Sequence, residues 1–185
     1  GKGFLYTSKN GNYLFGNWQN GLLTGTGSSK ENNIIKKGDF KDSKLQNGKV
    51  EIQYPDGTNY TGEYQNGKLQ GKGTLISSNG TYIGYFVNNE YDGSGKLISP
   101  DGSWYDGNWK KGNKEGNGTY RTKDGFRFTG NFIKNKPNGK FKVEKWLLSG
   151  LVTDEYSITF NMGKPEGDIT KIKSELTDFL SNKPS

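Results

Sequence analysis

The side chains able to do chemistry in this 185-residue chain are carboxylates, lysines, tyrosines and serines, because it holds no Cys and no His. That composition removes Cys/His zinc sites, thiol nucleophiles, disulfides and every triad that needs imidazole. Glu63, Asp92 and Asp106 stand beside glycines. Acid–base work by paired carboxylates needs a pocket that shifts one pKa, and nothing in the pattern supplies one. Gly71-Lys72-Gly73 and Gly116-Asn117-Gly118 invite a phosphate-loop reading, yet neither fits G-x-x-x-x-G-K-[ST] or opens a helix. No enzyme activity, metal, cofactor or small-molecule substrate is expected.

Two sets of residues with binding chemistry are left. The first is a row of rings at a constant site, Trp18, Phe40, Tyr64, Phe86, Trp109 and Phe132. The second is basic. Residues 101–147 hold 11 Lys and Arg against 5 Asp and Glu, which accounts for most of the net charge of +7. The candidates there are Lys110, Lys111, Lys114, Arg121, Arg127, Lys134 and Lys136. Such a patch attracts anionic lipid headgroups at about 1 kcal/mol per residue near a charged surface. Basic residues beside rings also have the composition of a single-strand nucleic-acid platform, although no nucleic acid is expected. A Lys-rich face has a plainer use, keeping a sheet soluble and discouraging edge pairing.

The elements that must position these residues follow from a repeat. Glycines set between paired rings fall at Gly16, Gly38, Gly62, Gly84, Gly107 and Gly130, in steps of 22, 24, 22, 23 and 23 residues. A fixed period in this range means stacked supersecondary units. Composition agrees: hydrophobic residues make up 29% and include 10 Phe, 11 Tyr and 4 Trp, beside 29 Gly. An average domain carries roughly 40% apolar residues without Gly, so a two-layer core is not expected. Disorder is not expected either, because disordered chains are poor in rings.

Two turn signals punctuate each period. Asn20-Gly21, Asn66-Gly67, Asn88-Asn89 and Lys111-Gly112 form one set; Asn10-Gly11, Asp56-Gly57, Asn79-Gly80, Asp101-Gly102 and Asp124-Gly125 form the other. These pairs tolerate the positive φ of tight hairpins, so each unit reads as two strands of about five to seven residues. Strict alternation puts Tyr60, Gly62 and Tyr64 on one face, with Gly71, Gly73 and Leu75 beside them. A regular strand glycine marks close approach by another group, and the expected group is a ring lying over bare backbone.

The segment from Tyr105 to Gly118 reads Y-x-G-x-W-x-x-G-x-x-x-G-x-G, and this frame resembles the MORN (membrane occupation and recognition nexus) repeat. The resemblance covers most of residues 1–143. It implies an all-β fold: an elongated, single-layer, twisted antiparallel sheet of consecutive β-hairpins. It also implies scaffolding, cytoskeletal or membrane-associated roles, often as a dimer or beside a catalytic domain.

Departures from the frame carry expectations of their own. Around Gly38 the later glycines are Ser43, Asn47 and Lys49, so a bulge or bend is expected there. Phe141 replaces the last glycine of its unit, so a ring must be accommodated. The array is assigned to residues 1–143, beginning in mid-repeat with Gly1-Lys2-Gly3. A degenerate terminal repeat with an apolar insertion follows at 144–167. At 168–185, Ile169, Ile172, Leu176, Phe179 and Leu180 share one face of a capping amphipathic α-helix, with Asp168 as N-cap and Pro184 beyond its end.

The expected function is a non-enzymatic interaction or scaffold module that offers its ring-lined face to a protein partner or to its own copy. One alternative is peripheral binding to anionic lipid, phosphoinositide above all, through residues 101–147. Another is an accessory role in a longer protein whose enzyme domain lies elsewhere. No stretch approaches the roughly 20 apolar residues that span a bilayer, and no signal-peptide pattern opens the chain. A cytoplasmic or membrane-peripheral location is favoured.

Overall fold

The computed structural model describes residues 1–7, 11–167 and 169–181, so the expected roles of Asn10, Asp168 and Pro184 lie outside it. Sixteen antiparallel strands form one open sheet: β1 (Lys2–Thr7), β2 (Asn12–Gln19), β3 (Leu22–Glu31), β4 (Ile34–Lys41), β5 (Lys44–Leu45), β6 (Gly48–Gln53), β7 (Asn59–Gln65), β8 (Lys68–Ser77), β9 (Gly80–Val87), β10 (Glu90–Ile98), β11 (Trp104–Lys110), β12 (Asn113–Arg121), β13 (Phe126–Ile133), β14 (Lys136–Trp146), β15 (Val152–Asn161) and β16 (Lys164–Glu166). Spatial order follows chain order, except that β5 pairs only with β4. Helix α1 (Lys173–Ser181) follows a 3-10 turn at Thr170–Ile172.

The two turn classes differ in build. Asn20 and Gly21 have φ of 50° and 77°, and Asn66 and Gly67 have 50° and 82°. Positive φ at both central residues makes two-residue type I′ turns, whose twist matches the strands they join. The Asp-Gly turns are one residue longer: the Tyr54 amide donates to the Thr58 carbonyl and the Gly57 amide to the Tyr54 carbonyl. The same closure recurs at Ser99–Ser103, Thr122–Phe126 and Leu147–Leu151. Asp101 Oδ1 accepts from the Ser103 hydroxyl (2.6 Å) and amide (2.9 Å). These bonds, the hydroxyl first, hold the Asp101 carboxyl below its ordinary pKa.

Strict alternation fails at one repeated place. The register slips between Gly16 and Trp18, Gly62 and Tyr64, Gly107 and Trp109, and Thr129 and Asn131. At each slip one residue of the first strand faces three of the second, 17 against 24–26, 63 against 70–72, 108 against 115–117 and 130 against 139–141, a β-bulge that interrupts the ladder there.

Contacts divide the chain into two compact units. The first comprises Gly1–Ser78 with Tyr85–Asn89, and its core is Leu23, Phe40, Val50, Ile52, Tyr60, Leu69 and Phe86. The irregularity expected near Gly38 is here: β4 turns back at Asp42-Ser43 into the two-residue β5, and β6 then takes up the pairing with β4 at Ile35–Gln53. The second unit comprises Asn79–Gly84 with Glu90–Ser185. Its core is the rings of Tyr82, Tyr105, Trp109, Tyr120, Phe128, Phe132, Phe141 and Phe160, with Phe179 from α1. The helix begins later than its apolar spacing suggests, because the Ile172 amide donates to the Ile169 carbonyl (3.1 Å) in a tighter turn.

Candidate interaction surfaces

Ring packing on glycine builds the first candidate surface. A Cβ added at Gly73 would stand 2.5 Å from Tyr60 Cε2 and 2.5 Å from its Oη, and one at Gly62 would stand 2.5 Å from the Gly73 Cα. The Tyr60 ring therefore lies against two bare backbones. Tyr82 does the same over Gly84 and Gly95, and Tyr105 over Gly107 and Gly118. Where Phe141 replaces the last glycine, its own ring lies over Gly130. Burial pushes the Tyr60 hydroxyl up to about 12, with the Glu63 carboxylate adding to the effect.

The row of six rings divides by exposure. Phe40, Phe86, Trp109 and Phe132 are buried, whereas Trp18 and Tyr64 are half-buried. Trp18 and Trp109 donate their indole N–H to the carbonyls of Gly3 and Gly95, each at 2.9 Å. Phe86 meets Tyr60 edge-on at 5.3 Å, and Phe132 meets Tyr105 at 5.1 Å. Most of the row is thus interior. In the first unit the face opens where Leu14 and Lys36 take the place of a platform tyrosine. Phe40 and Tyr64 border a cavity of about 420 Å³ there, with Leu14, Ser29, Lys36 and Leu45. In the second unit α1 covers the face: Phe179 stacks on Phe128 at 4.3 Å and 4°, and meets Tyr120, Phe132, Phe141 and Phe160 within 6.0 Å.

The basic candidates divide too. Lys110, Lys111, Lys134 and Lys136 are exposed, around the turns at 111–112 and 134–135. Asp92 accepts from the Lys111 amide (3.3 Å) and Glu115 from the Lys134 amide (2.9 Å), so carboxylates stand among these amines. Arg121 is half-buried. The Arg127 guanidinium lies 3.9 Å from the Trp146 ring centre and 5.7 Å from that of Trp104. Lys114 departs most from the expected solvated patch. It pairs with Trp109 across β11 and β12, where the other units place Leu23 opposite Trp18 and Leu69 opposite Tyr64. It is 2% exposed, its ammonium over the rings of Tyr105 (5.1 Å) and Tyr120 (5.2 Å), and burial lowers its pKa to about 8.

Two features escaped the period. Turn asparagines staple one hairpin to the hairpin before it: Asn89 Oδ1 accepts from the Leu69 amide, and Asn135 Oδ1 from the Lys114 amide, each at 2.7 Å. The positive φ of Asn89, 73°, is legible in its turn signal, whereas the side-chain bond is not. The second feature is a groove of about 710 Å³ on the face opposite the rings of the first unit. The period of two that aligns the rings also aligns the polar positions that line it. Among the described residues no group of three or more acidic side chains could hold a metal ion, and no helix is long and apolar enough to cross a membrane.

The MORN repeat family profile matches residues 15–29, 60–81, 82–104 and 105–127. No curated protein matches the sequence. Among solved structures, the SAS-4 (dCPAP) TCP domain of Drosophila melanogaster, in complex with a proline-rich motif of Ana2 (dSTIL), aligns with a TM-score of 0.45. That alignment has 19% identity and covers 86% of this chain and 90% of the other.

Proposed function

We propose that this chain, which belongs to the MORN-repeat family, is a non-enzymatic interaction module whose ring-bearing face receives a protein segment or a second copy. The observation that carries this reading is the seat of Phe179. A short amphipathic helix and the 3-10 turn before it bury Ile172, Leu176 and Phe179 against that face of the second unit, with Phe179 touching five rings. In the first unit the same kind of face is open at the cavity bordered by Phe40, Leu45 and Tyr64. Helix-in-groove recognition seats an apolar helix face in a trough, and here Leu14, Phe40, Leu45 and Tyr64 supply apolar surface among polar side chains such as Ser29, Lys36 and Lys44. Light scattering on the eluting protein tests self-association, and Leu45→Asp places a charge in the trough. A strict monomer whose partner capture is the same with and without that substitution overturns the proposal.

A second reading is favoured by the exposure of Lys110, Lys111, Lys134 and Lys136 around neighbouring turns: peripheral attraction to an anionic lipid surface. Co-sedimentation with phosphoinositide vesicles tests it. Sedimentation that ignores Lys110→Glu with Lys111→Glu defeats it.

A further inference from the structure

We infer that the groove on the polar face of the first unit is a binding site for an acidic oligosaccharide, laid across the strands at about one sugar per strand. Five strands present Phe15, Ser28, Lys37, Glu51 and Thr61 in one unbroken register, each the cross-strand partner of the next. These side chains point away from the ring-bearing face, because they alternate with Gly16, Gly27, Gly38, Val50 and Tyr60 along their strands. Phe4 extends the row at its first end, its ring 4.2 Å from that of Phe15. Asn17, Thr26 and Lys49 line the groove beside this row, and the glycine backbones of β2, β3 and β4 lie between.

Spacing chooses the ligand class. Groups on neighbouring strands recur every 4.7–4.9 Å, whereas an extended peptide advances about 3.3 Å per residue and drifts out of step within two strands. A pyranose chain advances by close to one strand spacing per sugar, so each unit meets a fresh set of donors. The donor set suits it. Ser28 and Thr61 bring hydroxyls, Thr26 a hydroxyl oxygen whose proton goes to Asp39 Oδ1 (2.9 Å), Asn17 an amide, and Phe15 with Phe4 an apolar ring surface for the face of a sugar. Charge makes that sugar acidic. The lining carries Lys2, Lys37 and Lys49 against Glu51: Lys37 is answered by Glu51 at 3.3 Å, whereas Lys2 stands opposite Asn17 and Lys49 opposite Glu63 in register, neither in an ion pair among the described residues. Two amines with one sign of charge remain for carboxylates of the ligand.

The test is titration calorimetry of the full chain with an oligogalacturonide, with an uncharged glucan oligomer and poly-glutamate as comparators. The oligogalacturonide binds and the uncharged oligomer binds far less. Lys2→Glu with Lys49→Glu weakens binding by about tenfold per residue, the worth of one charge-assisted hydrogen bond. Lys68→Glu with Lys164→Glu, both exposed and outside the groove, changes net charge equally and leaves binding nearly untouched. Ser28→Ala with Thr61→Val, which leaves the charges alone, weakens it too. Thermal melts of each variant separate lost binding from lost fold. No binding, equal loss from the two charge reversals, or equal affinity for poly-glutamate overturns the site. The groove and the ring-bearing face lie on opposite sides of the sheet, so neither result decides the other.

Discussion

The Tyr105 hydroxyl donates to the carbonyl oxygen of Asn108, 3.0 Å away. The bulge between Gly107 and Trp109 turns that carbonyl out of the strand ladder, and the tyrosine lying over the glycines is the group that meets it. Tyr60 repeats the arrangement with the Glu63 carbonyl at 2.6 Å. One side chain thus covers bare backbone and closes the polar gap that the bulge opens. Tyr105→Phe keeps the ring and removes the bond, so the expected cost is about 0.5–1.5 kcal/mol in a urea titration. No loss would mean that water serves the Asn108 carbonyl equally well.

Gly118→Ala sets a methyl 2.5 Å from Cε2 and Cζ of Tyr105. Overpacking of this kind costs about 1–3 kcal/mol. The double variant with Tyr105→Ala should cost less than the sum of the two single changes, since the clash disappears with the ring. Strict additivity in a double-mutant cycle would contradict the ring-on-glycine account.

Lys114 predicts an unusual pH profile. Its folded pKa of about 8 lies below the ordinary 10.5, so between these values the unfolded chain binds more protons and stability rises with pH. Below pH 8 the whole cost is present, about 3 kcal/mol by the usual conversion. Above pH 10 the buried tyrosines oppose the trend, because Tyr60 and Tyr105 have raised pKa values and are neutral in the fold. Stability measured from pH 7 to 10 should therefore climb for the native chain and stay flatter for Lys114→Met. That variant should also be the more stable at pH 7. A flat native profile would place the amine in water.

Phe179→Ala should release α1 from the second unit. A buried Phe truncated to Ala costs about 3–5 kcal/mol, and among the described residues the other buried apolar side chains of this segment are Ile172 in the 3-10 turn and Leu176 in the helix. Proteolysis should then cut within residues 169–181 while the strands of the first unit stay protected in hydrogen exchange. Unchanged cleavage would show that the helix holds without its ring.

The period made the hairpins, the type I′ turns and the ring-on-glycine packing legible, since each is a local demand on residue type. Three matters were not legible, for identifiable reasons. The bulge puts its extra residues in the second strand without changing the period, so counting by twos from Gly73 misplaces Gly71, where an added Cβ would meet the Glu63 side chain of the opposite face. Lys114 reads as a solvated charge because lysine usually is one, and only its register partner Trp109 exposes the Leu position it occupies. The ring row reads first as core and in its outer parts as a docking surface, but which rings are covered depends on what lies over them. For Phe132 that is Phe179, some forty-seven positions further along the chain.

Strand order that follows chain order has a mechanical consequence. Each strand, β5 apart, is bonded only to its immediate neighbours, so tension applied along the chain opens one ladder at a time from an end. Peeling of this kind calls for low, repeated forces where clamped parallel strands resist with one high peak. Pulled at both ends, such a sheet lengthens in steps and can rewind in the same order, in the manner of a spring that yields coil by coil.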